Sequence, residues 1–314
     1  MRPVPRGAGH AISFMHRYPV ITRKLRAGRH SLYLELWPND GASVILFYPG
    51  SLLSPYQYRP LLSAIRAAGL AVAALHLTGH GRNSHLNLFT FSELLEDGLY
   101  AERWLTDAGY GPIAVCGHSQ GGILALAHAA SSQTIAASFP ISGVLPQTPE
   151  AIELTHFMSL AAHRNAFIHG ISILAGLFPW LPIPVQGYLS IHKIFAGAKH
   201  PHTNHHRARM TYPLIFLKSL FCAEIQPQLH CSLCFFSALD DALFTPQITL
   251  KTFHRLQAPS RRLVWLPCGG HLAVMSPDLC HYTARTISMT CAGQGLPVRY
   301  TKNSTTLGDR HHGV

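Results

Sequence analysis

Charge is scarce in this chain, and acid is scarcest. Only 12% of its 314 residues are charged, and 14 Asp and Glu stand against 25 Lys and Arg. That is about half the usual share of charge. It excludes a solvated disordered chain, while 47% apolar residues leave ample material for a sizeable core. No helix-turn-helix, zinc-finger or RNA-binding signature occurs, so no nucleic-acid partner is expected. Cys231 and Cys234 form a C-x-x-C inside a strand-like run, and no second C-x-x-C exists to complete a zinc site. The seven cysteines show no small secreted framework, which favours reduced thiols in the cytoplasm. Arg2 and Arg6 are followed by no sustained apolar stretch and no small-residue cleavage site, so no signal peptide is expected.

One uncharged, apolar run needs separate attention. Asn165 to His192 carries no formal charge and is long enough to cross a bilayer. Pro179, Pro182 and Pro184 break it, as do Gly170, Gly176 and Gly187. An apolar, partly interfacial helix pair fits better than a membrane span. Two segments lack acid altogether and are basic. Residues 1–30 carry Arg2, Arg6, Arg17, Arg23, Lys24, Arg26 and Arg29; residues 154–223 carry Arg164, Lys193, Lys199, Arg207, Arg209 and Lys218. Such segments suit an anionic surface or substrate, or serve solubility alone.

What is present is an alternation of short apolar runs with helical patterns, which predicts a mostly parallel sheet with flanking helices. Ser31–Trp37, Ser43–Tyr48, Leu70–Leu77, Ile113–Cys116, Ile135–Val144, Cys231–Leu239 and Leu263–Pro267 have the character of strands. Tyr56–Ala68, a capping box of Thr90 and Glu93 running to Asp107, Gly122–Ala130, Pro246–Leu256 and Pro277–Thr290 have that of helices. The alternation stops between Pro146 and Gln226. The expected organisation is a basic segment over residues 1–29, a core of 30–145 and 227–294, a helical cap over 146–226, and a polar, disordered tail over 295–314.

Gly117-His118-Ser119-Gln120-Gly121 is a G-x-S-x-G sequence between a strand and a helix of small residues. A serine nucleophile needs a sharp strand-to-helix turn, and glycines two residues either side relieve its crowding. Serine needs a base, and His271 after Cys268-Gly269-Gly270 follows the last strand, where a loop can bring an imidazole over the nucleophile. His118 and His80 are the less suitable alternatives. A carboxylate must fix the imidazole tautomer. Asp241 is favoured by its register with Leu243 and Phe244, and Asp240 is the runner-up. Oxyanion donors are expected at the backbone of Gln120 and in the loop after Ser43–Tyr48, at Ser51 or, failing that, Leu52. His200, His202, His205 and His206 lack a nearby acid or cysteine and suggest a polar loop rather than a metal site. No metal or cofactor is expected.

With Pro49-Gly50, Gly79-His80-Gly81-Arg82, Gly117–Gly122, Leu239–Leu243 and Gly269-Gly270-His271 in this order, the chain resembles an α/β hydrolase. The group it looks like includes monoacylglycerol lipases, lysophospholipases and serine aminopeptidase-like hydrolases, over residues 30–290. Members usually have His where Pro49 stands, Asp and Arg where His76 and Thr78 stand, and Gly where Ala238 stands. The resemblance implies hydrolysis of a small-molecule ester or lipid through an acyl-enzyme on Ser119. Cap residues Phe167, Ile171, Ile173, Leu174, Leu177, Phe178, Trp180 and Leu181 are candidates for an acyl pocket. A thioesterase, a peptidase-like hydrolase and a small-molecule receptor on the same scaffold are the alternatives. The location expected is cytoplasmic, with peripheral contact to anionic membranes allowed by the basic cap.

Overall fold

The computed structural model describes residues 18–27, 30–51, 53–196 and 210–300. Its centre is an eight-stranded sheet, made of β1 (Ile21–Ala27), β2 (His30–Trp37), β3 (Val44–Tyr48), β4 (Ala71–His76), β5 (Ile113–His118), β6 (Ile135–Ile141), β9 (Ser232–Ala238) and β10 (Arg261–Leu266). The spatial order is β1-β2-β4-β3-β5-β6-β9-β10. Only β1 and β2 run antiparallel to their neighbours. The strands from β4 to β10 are parallel, as the strand–helix alternation predicts. Parallel strands covered on both faces are continuous apolar runs, and all five residues of β3, Val-Ile-Leu-Phe-Tyr, are buried.

Helices α1 (Arg59–Ala67), α2 (Phe91–Asp107), α3 (Gln120–Ser131) and α8 (Pro246–Arg255) connect strands and α9 (Pro277–Gly293) follows the last one, with α1 packed on α9 and α2 on α3. The Thr90–Glu93 capping box forms as the sequence predicts. From β3 the chain winds outward to β4, then crosses back to β5 on the other side of β3. Open α/β sheets bind ligands at such a switch point, beyond the carboxyl ends of the strands. The turn after β5 and the loop after β3 meet there.

Two boundaries differ from the sequence expectation. The basic segment 1–29 supplies β1, an edge strand whose Thr22, Arg23, Lys24 and Arg26 are exposed while Leu25 is buried. One buried side chain gives too little periodicity to mark a strand. Residues 295–300, expected in a frayed tail, lie along the core. Ser43 N–H donates to Pro297 O at 2.8 Å, Arg299 N–H donates to Gly69 O at 2.8 Å, and Leu296 and Val298 pack on the apolar core.

Residues 146–226 contain α4 (Pro149–Glu153), α5 (Arg164–Leu177), α6 (Ile191–Phe195) and α7 (Leu214–Phe221). A two-stranded ribbon of β7 (Pro182–Pro184) and β8 (Thr211–Pro213) was not foreseen, because three-residue strands rich in proline carry no strand signature. No helix among the described residues is long and apolar enough to cross a membrane. The histidine cluster at 200–206 and Leu52 lie outside the described residues.

Candidate active site

Ser119 stands at the end of β5 with φ 58° and ψ −119°, a left-handed conformation that side chains rarely adopt. Its neighbours must be glycine for that turn to close. A Cβ on Gly117 would stand 2.0 Å from Gly121 O, and one on Gly121 would stand 2.1 Å from Tyr48 O. Ser119 N–H donates to Ile141 O at 2.8 Å, tying the turn to β6.

The turn brings three of the sequence-predicted residues into one hydrogen-bonded row. Ser119 Oγ lies 3.0 Å from His271 Nε2. His271 Nδ1 lies 3.0 Å from Asp241 Oδ2. A carboxylate only accepts, so Nδ1 carries the imidazole proton and Nε2 accepts from the serine hydroxyl. All three residues are buried. The ring of Phe244 stacks on that of His271 at 5.3 Å and 4°.

Asp241 is held from four directions. Oδ1 accepts from Leu243 N–H at 2.8 Å and Phe244 N–H at 2.9 Å, and Oδ2 also accepts from Ser142 Oγ at 3.1 Å. Burial pushes its pKa up, but His271 and the two backbone donors outweigh that and bring it to about 2. The carboxylate is therefore anionic at every pH where an imidazole can act as a base.

Asp240 takes a different place. It is exposed, and its carboxylate accepts from Gly269 N–H at 3.1 Å and Gly270 N–H at 2.9 Å. Both glycines have positive φ, 105° and 61°, at the start of the turn that presents His271. The two adjacent acids thus serve different targets, one the imidazole and the other its backbone. His118 and His80 both lie away from the Ser119 hydroxyl. His118 bonds to Tyr58 and His271 O, and His80 Nε2 lies 2.5 Å from Tyr212 Oη.

Gln120 begins α3, so its backbone N–H has no partner in a preceding helical turn. Ser51 sits across from it, with Ser51 Oγ donating to Gln120 Oε1 at 2.7 Å. Ser51, Ser119 and Gln120 form one end of a pocket. Its wall continues through Ile123, Val144, Pro146, Ala151, Leu154, Thr155, Tyr188, Leu189, Leu220, Phe221, Leu243 and Phe244, none of them charged.

The expected acyl-pocket residues are corrected here. None of the eight cap residues named from the sequence lines this pocket. Phe167 and Ile171 pack on the core, whereas Ile173, Leu174, Leu177, Phe178, Trp180 and Leu181 are exposed. Helix α5 carries Asn165, His169 and Ser172 on one side and apolar residues over the rest of its circumference, a wider apolar arc than the core covers. The cap reaches the pocket instead through Ala151, Leu154, Thr155, Tyr188, Leu189, Leu220 and Phe221. The clusters of three or more His, Cys, Asp or Glu that a metal would need do not occur among the described residues.

A parallel sheet wound outward from β3, with a serine turn after β5 and a histidine turn after β10, defines an α/β protein built around a serine–histidine–aspartate row. Residues 44–281 match the model of the alpha/beta hydrolase family, and the chain belongs to that family. Among solved structures, it is similar to a soluble variant of monoglyceride lipase from Saccharomyces cerevisiae in complex with a substrate analogue. The TM-score is 0.66 at 12% identity, covering 89% of this chain and 98% of that one. It is also similar to monoacylglycerol lipase from Paleococcus ferrophilus (TM-score 0.62, 15% identity, 88% and 99% covered). A third likeness is to alpha/beta hydrolase domain-containing protein 10 from mouse (0.61, 16%, 87% and 99%). At these identities the likeness establishes the shared fold. No curated protein matches the sequence.

Proposed function

We propose that the chain is a serine hydrolase of carboxylic esters with an apolar acyl group. The observation that carries this reading is the Ser119–His271–Asp241 row opening into a pocket whose wall bears no charge. In the proposed reaction Ser119 Oγ attacks the ester carbonyl while His271 Nε2 takes its proton. The backbone N–H groups of Gln120 and Ser51 receive the developing oxyanion. His271 then returns the proton to the departing alcohol, leaving an acyl-Ser119. Water, deprotonated by the same imidazole, hydrolyses the acyl group and restores the serine.

The uncharged wall favours an ester over a substrate with a free amine, since a buried ammonium needs a nearby carboxylate. None of the cap acids lines the pocket. Glu150 is engaged by Arg255 at 2.7 Å, and Lys251 lies 3.6 Å from both Glu150 and Glu153. Monoglyceride and monoacylglycerol lipases among the similar structures support the lipid side of the reading.

A fluorophosphonate probe and a series of p-nitrophenyl esters from acetate to palmitate test it. Labelling at Ser119 and a rate that rises from acetate toward longer acyl chains are expected, because each buried methylene adds about 0.8 kcal/mol. A folded protein that neither labels nor hydrolyses any member would point to a receptor. A clear preference for acyl thioesters would make it a thioesterase.

The exposed apolar face of the cap, with Trp180 65% and Leu177 61% exposed, adds a prediction. The segment 154–223 also carries six basic residues and no acid, a charge bias that suits an anionic lipid surface, where each nearby cation adds about 1 kcal/mol. Flotation should recover more protein on anionic than on zwitterionic liposomes, and high salt should reduce the difference. Equal recovery on both, at either salt, would leave the face without this role.

A further inference from the structure

Behind the proposed base runs a buried hydrogen-bond chain that no step of the reaction uses. Gly50 N–H donates to Tyr58 Oη at 3.1 Å. Tyr58 Oη lies 2.6 Å from His118 Nδ1, and His118 Nε2 lies 2.8 Å from the carbonyl oxygen of His271. Elimination fixes the direction of each bond. A carbonyl only accepts, so His118 Nε2 holds the proton and Nδ1 is bare. The bare Nδ1 takes the tyrosine proton, and the phenolic oxygen takes the Gly50 amide. Every polar atom in the chain is satisfied, and both Tyr58 and His118 are 1% exposed.

The chain joins the three segments that must cooperate. Gly50 precedes Ser51 in the loop after β3, His118 precedes Ser119 in the serine turn, and His271 sits on the turn after β10. Contact is close throughout. A Cβ on Gly50 would stand 3.0 Å from Tyr58 Oη and 3.2 Å from His118 Nδ1. The rings of His118 and His271 lie 4.7 Å apart at 40°.

We propose that Tyr58 and His118 are positioning residues, a buried link that holds the oxyanion loop and the base in register with the Ser119 hydroxyl. The proposal rests on the serine-hydrolase reading. The physical need is tolerance: a displacement of about 1 Å in a reacting group can cost about 100-fold in rate. Burial, with His271 close by, lowers the pKa of His118 to about 3. The imidazole therefore stays neutral, and its donor and acceptor sides do not exchange at working pH. A protonated ring would turn a donor toward Tyr58 and leave the phenolic proton without an acceptor.

Three variants separate positioning from mere packing. Tyr58→Phe keeps the ring and removes the hydroxyl. His118→Asn places an acceptor near the Nδ1 position but does not reach the His271 carbonyl. His118→Gln places a donor near the Nε2 position and does reach it. At temperatures where each variant is folded by circular dichroism, Tyr58→Phe and His118→Asn should lower kcat by about 10- to 100-fold with KM within about threefold of wild type. The fluorophosphonate labelling rate should fall in parallel. His118→Gln should recover part of what His118→Asn loses. The Tyr58→Phe/His118→Asn double variant should lose less than the product of the single losses, since both cut one chain.

A folded Tyr58→Phe protein with wild-type kcat overturns the proposal, as does a loss confined to KM. If Tyr58→Phe does not fold, equal kcat for His118→Gln and His118→Asn overturns it. Wild type that neither labels nor turns over esters overturns the hydrolase reading and this link with it. Labelling by wild type alongside an unimpaired Tyr58→Phe overturns the link alone.

Discussion

Ser119→Ala should reduce ester hydrolysis by about 10⁴- to 10⁶-fold and abolish fluorophosphonate labelling while leaving the protein folded. The hydroxyl is the atom that would form the acyl bond, and nothing beside it can take over. His118 is committed to Tyr58 and a backbone carbonyl, and the thiol of Cys116 is buried three residues away along β5. The fold should survive because the turn is held by its backbone. Ser119 N–H donates to Ile141 O, and the glycines at 117 and 121 make the room. Alanine at φ 58° is strained no more than serine is. Circular dichroism and melting temperature would confirm the fold, and ester turnover would give the loss. A folded Ser119→Ala protein that keeps most of its activity would falsify the nucleophile assignment.

The serine turn was legible in the sequence because its cause is local. Glycines two residues either side of Ser119 answer to clashes within the same turn and with the adjoining β3, and the preceding strand is a compact apolar run. Asp241 was legible for a related reason, since its partners Leu243 N–H and Phe244 N–H lie two and three residues on. The parallel sheet followed from fully apolar strands alternating with helices.

What stayed hidden is contact between distant segments. Tyr58 meets His118 across 60 positions, and nothing near either residue signals the other. The same holds for the departures from the usual family pattern. His76, standing where an acid is usual, lies 3.1 Å from Glu35 on the neighbouring strand, and Thr78 Oγ1 donates to Asp97 at 2.5 Å. Both of these side chains found a partner on another element. The cap was misjudged at the level of faces. Helix α5 has an apolar arc wider than one face, and which part of it turns inward is decided only when its neighbours are placed.

Asp241→Asn should lower kcat/KM by about 10⁴-fold, whereas Asp240→Asn should cost about tenfold or less. The difference follows from what each carboxylate faces. An amide at 241 keeps its oxygen on Leu243 N–H and Phe244 N–H, which turns its NH₂ toward His271 Nδ1. That donor selects the imidazole tautomer protonated at Nε2, which would then donate to Ser119 Oγ instead of accepting its proton. The base is lost although the geometry persists. At 240 the two glycine N–H groups lose one acceptor, but the site is exposed and water can replace it. Stability provides an independent check. A carboxylate whose pKa is lowered on folding stabilises the protein at pH above its ordinary pKa, about 3.9, and that contribution fades as pH falls toward about 2. At neutral pH wild type should therefore melt above Asp241→Asn, and the gap should narrow on acidification below about pH 4. Near-normal turnover by Asp241→Asn together with a crippled Asp240→Asn would exchange the roles of the two acids.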